Sequence, residues 1–164
     1  MRRTVPVFVV AAALNGVGIL LGVAWGTPSS ALGIRPSATL SVASVFTYDA
    51  AIALALAAGG VLLGAPTVAL LVITGFLLGA GVGPGVDPLL VLAHAVFEVP
   101  AIWAAGTAGL LLPRSLIRDL RRPEERGTVA RVVPRALFFT TVSIGLLVIA
   151  AVMEVFVTSW FTGA

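Results

Sequence analysis

The chain has 164 residues, of which 59% are hydrophobic and only 10% charged, with a mean hydropathy of +1.13. A soluble domain carries about 25% charged residues, so this composition excludes a water-soluble globule and makes lipid the solvent. The net charge of +3 rests on ten arginines without a lysine; they fall where membrane topology needs them, which excludes nucleic acid as a partner. Zero cysteines exclude disulfides and thiolate chemistry.

A membrane helix takes about 20 largely apolar residues, and five segments qualify. The first is expected from Val5 to Trp25, closed by the turn-rich run from Gly26 to Ser30. Arg2 and Arg3 before an apolar stretch resemble a signal peptide, but the charge-free run from Thr4 to Ile34 is too long for one, so a retained helix is expected. The second helix is expected from Ser41 to Leu63, broken by Gly64-Ala65-Pro66, and the third from Thr67 to Gly81, closed by Gly83-Pro84-Gly85. The fourth starts with Asp87 as N-cap and Pro88 at the first helical position, and is expected to stop at Leu112 before Pro113. The fifth is expected from Ala136 to Val157. The fold class is thus an all-α, polytopic membrane helix bundle of about five transmembrane helices, a single domain over 1–164.

Arginine placement sets the expected orientation. Arg2 and Arg3 precede helix one, and Arg114, Arg118, Arg121, Arg122, Arg126, Arg131 and Arg135 lie between helices four and five. With five spans both groups fall on one side, leaving Arg35 opposite. The amino terminus is therefore expected to be cytoplasmic, the carboxyl terminus external, and the chain a multi-pass protein of the cell membrane. Trp25 and Trp160 then fall near the external interface. The stretch 113–135 reads as a basic cytoplasmic loop, either an ordinary positive-inside connector or a short helix lying on anionic headgroups. Gly18-xxx-Gly22-xxx-Gly26, Gly60-xxx-Gly64 and Gly75-xxx-Gly79 are small-residue faces for close helix packing, within one molecule or between two copies.

Four ionisable groups stand inside the expected spans: Asp49, His94, Glu98 and Glu154. Each costs about 2.5–3.5 kcal/mol at the centre of a membrane helix on insertion scales, so together they need partners. At 1.5 Å per residue all four are expected in the outer half of the bilayer, with Asn15 near the middle of helix one. His94 and Glu98 are spaced i, i+4 on one helix face, and Pro100 beyond them is expected to bend the helix. Three readings follow. The cluster is a buried hydrogen-bond network that fixes packing, a pocket for a proton, ion or small polar ligand, or a metal or hydrolytic centre. One histidine is thin for zinc, and no hydrolase motif or phosphate loop is present. The metal question stays open and no cofactor is expected.

The run His94-Ala95-Val96-Phe97-Glu98-Val99-Pro100-Ala101-Ile102, with Ala104-Ala105-Gly106 and Gly109, resembles the His-Gly-x-x-Glu-x-x-Ala helix of the stage II sporulation protein M family. Glu154-Val155-Phe156-Val157-Thr158 is similar to that family's closing Glu-x-Phe-x-Thr stretch. Phe46-Thr47-Tyr48-Asp49 and Gly75-Phe76-Leu77-Leu78-Gly79 resemble two further segments. Here Asp49 and Thr74 stand where asparagine is expected and Ala95 replaces a glycine, leaving His94, Glu98 and Glu154 as the transferable positions. The resemblance implies small multi-pass membrane proteins. Its sporulation members are scaffolds that recruit cell-wall hydrolases, and some members are encoded near ABC-type ATPase components. A non-enzymatic scaffold or assembly protein is therefore expected first, a transporter component or small permease second, and an intramembrane hydrolase third. Beside the lipid bilayer, the expected partners are other membrane proteins or an ATPase, with a second copy through the small-residue faces.

Overall fold

The computed structural model describes residues 4–25, 41–82, 88–121 and 127–162, with the backbone alone for 88–94 and 158–162. Five helices follow in order: α1 (Val5–Trp25), α2 (Val42–Ala58), α3 (Ala65–Gly81), α4 (Pro88–Arg121) and α5 (Thr128–Thr162). A 3-10 turn, Gly59–Leu62, closes α2. No strand occurs among the described residues. By length and apolarity, α1, α2 with its 3-10 turn, α4 and α5 can each cross a membrane, whereas α3 has 17 residues. At 1.5 Å per residue α3 spans about 26 Å, slightly less than the ~30 Å hydrocarbon layer.

The observed boundaries correct four expectations. The second helix does not run regularly to Leu63. It tightens at Gly59 and turns through Leu63 (φ 57°) and Gly64 (φ 80°), both left-handed. The third helix begins at Ala65, because Pro66 lies in its first turn, where a missing N–H costs nothing. The fourth helix does not stop at Pro113. Pro113 cannot donate to the carbonyl of Gly109, but that oxygen points at Gly60 in the neighbouring helix, where a side-chain Cβ would collide with it. A carbonyl released by proline is tolerated where a neighbouring helix covers it. Helix five begins at Thr128 and reaches Thr162, so of the stretch expected as a loop over 113–135 the residues 113–121 and 128–135 are helical. Pro100 likewise lies within an uninterrupted α4. The expected N-cap Asp87, and Arg2, Arg3, Arg35, Arg122 and Arg126, lie outside the described residues, as does the side chain of Trp160.

The glycine faces decide how α1 and α3 pair. A Cβ on Gly18 would run into the Val72 carbonyl, on Gly22 into that of Phe76, on Gly75 into that of Asn15, and on Gly79 into that of Ile19. The rising register makes the two helices parallel and puts backbone against backbone. In lipid such close approach supplies the attraction that apolar area supplies in water. The expected small-residue motifs thus close this molecule internally. α4 touches each of the other four helices, and its Ala101, Ala104, Ala105 and Ala108 are all buried. It packs with Ala53, Leu56, Leu71 and Leu147 as the core.

Candidate functional site

Two polar regions emerge inside the bundle. The first centres on Asn15, which is fully buried and is the only side-chain amide in the chain. Its Nδ2 donates to the Leu71 carbonyl at 3.0 Å and to Thr74 Oγ1 at 3.3 Å. Trp103 Nε1 donates to Asn15 Oδ1 at 3.1 Å. One side chain therefore ties α1 to α3 and α4, and Phe8 packs edge-on against Trp103 at 6.0 Å. Thr74, where the resemblance leads one to expect asparagine, takes part through its hydroxyl. A second cross-helix bond runs from Thr67 Oγ1 to the Leu56 carbonyl at 2.9 Å, buried beside Gly109.

The second region holds the ionisable residues. Asp49, Glu98 and Glu154 are each half-buried, on α2, α4 and α5, which pack against one another in all three pairings. Asp49 Oδ2 and Glu98 Oε2 are buried atoms. Their levels follow from register. α1 is parallel to α3 and antiparallel to α4, since Asn15 meets Trp103 while Val7 shares a cavity with Leu111 and Arg114. The tight turn makes α2 antiparallel to α3, so α2 and α4 are parallel. Gly60 lies against Gly109, and counting back equally from both glycines reaches Asp49 and Glu98, level to within about a turn. α4 and α5 form an antiparallel hairpin in which Asp119 meets Val129. Equal counts along the two helices from that contact reach His94 and Glu154. Glu154 lies ~12 Å from the end of α5, which continues to Thr162. The imidazole of His94 lies outside the described side chains. Asn15 heads the network described above, its hydrogen bonds among the described residues going to Leu71, Thr74 and Trp103. Among the described residues no three histidine or carboxylate groups converge as a metal site would require.

Sequence reasoning missed three contributors. Trp103 carries an N–H that needs an acceptor when buried, and Asn15 was the visible acceptor. Thr67 looks like any small residue in an apolar helix, and its bond has no sequence signal. Asp119 falls in the stretch 113–135 that the sequence reads as a loop. In the structure its Oδ1 accepts from the Thr128 N–H and its Oδ2 from the Val129 N–H, both at 3.1 Å. It therefore fills the open N–H groups at the start of α5, where a negative charge also complements the helix dipole.

Helices of this length and apolarity, joined through buried polar contacts, define a polytopic α-helical membrane protein. Within that class the chain belongs to the Stage II sporulation protein M family, whose model matches residues 11–159. An uncharacterized protein of Methanocaldococcus jannaschii is 28% identical over 131 residues, covering 75% of this chain and 74% of its own length. No solved structure matches the chain.

Proposed function

We propose that this protein is a non-enzymatic scaffold of the cell membrane whose arginine-rich end faces the cytoplasm and holds a partner there. The observation that carries the reading is the length of the α4/α5 hairpin. α4 has 34 residues and α5 has 35, about 50 Å each, against a hydrocarbon layer of ~30 Å. Both helices therefore continue past the bilayer as a paired, basic head. Its surface exposes Leu120 (71%) and Ile117 (39%) beside the exposed Arg121, a mixture of apolar and cationic groups suited to a protein partner. The partner is another membrane protein or an ATPase component. The Asp49, His94, Glu98 and Glu154 group then holds α2, α4 and α5 together.

A photo-crosslinker at Leu120 in the cell membrane tests this. It is expected to give one discrete protein adduct, weakened by Arg121→Glu, while the same group at the exposed Leu20 of α1 gives none. Equal labelling from both positions would count against the scaffold. A second reading, a permease or transporter component, draws on the shared level of Asp49 and Glu98 and the burial of one oxygen of each. A proton or small cation is the ligand such carboxyls suit. Proteoliposomes showing pH-dependent flux that Glu98→Gln abolishes would favour it over the scaffold.

A further inference from the structure

Where α1 begins and α4 and α5 leave the bilayer, the three helices enclose a cavity of about 640 Å³. Arg114 and Arg118 of α4 and Arg131 and Arg135 of α5 line it, with Thr4 and Ser115 between them. No carboxylate belongs to its lining among the described residues. Four guanidinium groups reach one hollow, and the planar guanidinium fork suits phosphate oxygens in pairs.

A second hollow of about 600 Å³ adjoins the first and shares Thr4 and Arg135 with it. Its remaining walls are Val5, Phe8, Pro134, Phe138 and Phe139. Phe8 lies one turn beyond Thr4 along α1, and Phe138 and Phe139 one turn beyond Arg135 along α5, so this groove runs from the basic cavity into the hydrocarbon. Depth agrees. α1 has 21 residues, ~32 Å, and so matches the bilayer core with its first turn at one boundary. The arginines opposite Thr4 therefore stand at headgroup level.

We infer that the α1/α4/α5 junction is a binding site for an anionic phospholipid, its phosphate among the four arginines and one acyl chain along Phe8, Phe138 and Phe139. Charge complementarity selects the headgroup. A zwitterionic lipid brings an ammonium group against the same arginines, and free phosphate leaves the aromatic groove empty. The site is separate from the exposed Leu120 face and does not depend on a protein partner.

The test uses the full chain, delipidated in neutral detergent, with thermal stability and native mass spectrometry as readouts. Phosphatidylglycerol is expected to raise Tm and remain bound as a discrete adduct, while phosphatidylcholine and inorganic phosphate at equal concentration do neither. Arg131→Gln with Arg135→Gln is expected to weaken phosphatidylglycerol about thirtyfold, at the usual contribution of each interfacial arginine. Arg121→Gln, outside the cavity, leaves binding unchanged. Phe138→Ala weakens a long-chain phosphatidylglycerol and leaves a short-chain one unaffected, which keeps the test decisive should the double variant fail to fold. Equal stabilisation by phosphatidylcholine or by phosphate alone would overturn the site. So would undiminished binding to the arginine variant, or a Phe138→Ala protein that treats both chain lengths alike.

Discussion

The α1/α3 pair and the α4/α5 pair are both extensive helix contacts, made in opposite ways. α1 and α3 are parallel, separated by α2 in the chain, and meet where Gly18, Gly22, Gly75 and Gly79 bring backbone against backbone. α4 and α5 are consecutive and antiparallel, and a carboxylate at the turn joins them. The difference teaches what each contact must overcome. Two helices that a connection already holds together lose little entropy on pairing. Two helices apart in sequence need close fit over several turns, plus a polar pin, and Asn15 is that pin.

The strongest way to break the comparison is to restore a side chain in the glycine contact. Gly79→Leu drives its Cβ into the Ile19 carbonyl, and backbone cannot step aside as a flexible side chain could. Overpacking usually costs about 1–3 kcal/mol and can exceed that where no rearrangement is open. The variant is expected to aggregate or elute as a broad peak in mild detergent. Gly16→Ala on the same helix, with open space at its Cβ, is expected to behave as wild type. Indistinguishable elution of the two variants would mean that the α1/α3 contact does not hold the bundle.

Next in size comes the pin. Asn15→Leu leaves the Leu71 carbonyl with one bond fewer and the Trp103 N–H without its acceptor, at a cost of about 1–3 kcal/mol for unsatisfied buried groups. Trp103→Phe removes the other half of that contact. A double-mutant cycle in detergent isolates the coupling, expected near 0.6 kcal/mol and no more than about 1.7, as for hydrogen bonds between membrane helices. Additive losses would show that Asn15 acts through α3 alone.

Much of this architecture was legible in the residues, and the reasons differ by element. α1 was readable to the residue because its apolar run is bounded by Arg2 and Arg3 before it and by the turn-forming run from Gly26 to Ser30 after it. α3 was placed to within two residues by Gly81 at its end. The head of the hairpin was misread because Pro113 and seven arginines are loop signals locally, whereas the outcome depended on Gly60 of another helix sheltering the Gly109 carbonyl. No local pattern carries that information. The ionisable residues were recognisable one by one as misplaced charges, and the shared level of Asp49 with Glu98 emerged only from the Gly60–Gly109 register. The Trp103–Asn15 bond spans 88 positions and was likewise invisible to spacing rules.

The smallest effect expected is at the other end of the comparison, in the turn of the hairpin. Asp119→Asn keeps one oxygen acceptor for Thr128 or Val129 but loses the second, together with the charge that faces the start of α5. Because α4 and α5 are consecutive and extensively packed, the membrane-embedded part is expected to keep its stability. The loss is confined to the first turn of α5. Hydrogen exchange should therefore quicken at the amides of Thr128 and Val129, and further in Asp119→Ala, with Leu147 and Ala150 in the buried stretch unchanged. High salt should narrow the gap between wild type and Asp119→Asn by screening the charge–dipole attraction, while the gap between Asp119→Asn and Asp119→Ala, which is a hydrogen bond, should persist. If exchange instead rises along all of α5, the carboxylate holds the whole hairpin closed. The contrast with the glycine-packed pair would then collapse, since both contacts would depend on a single pin.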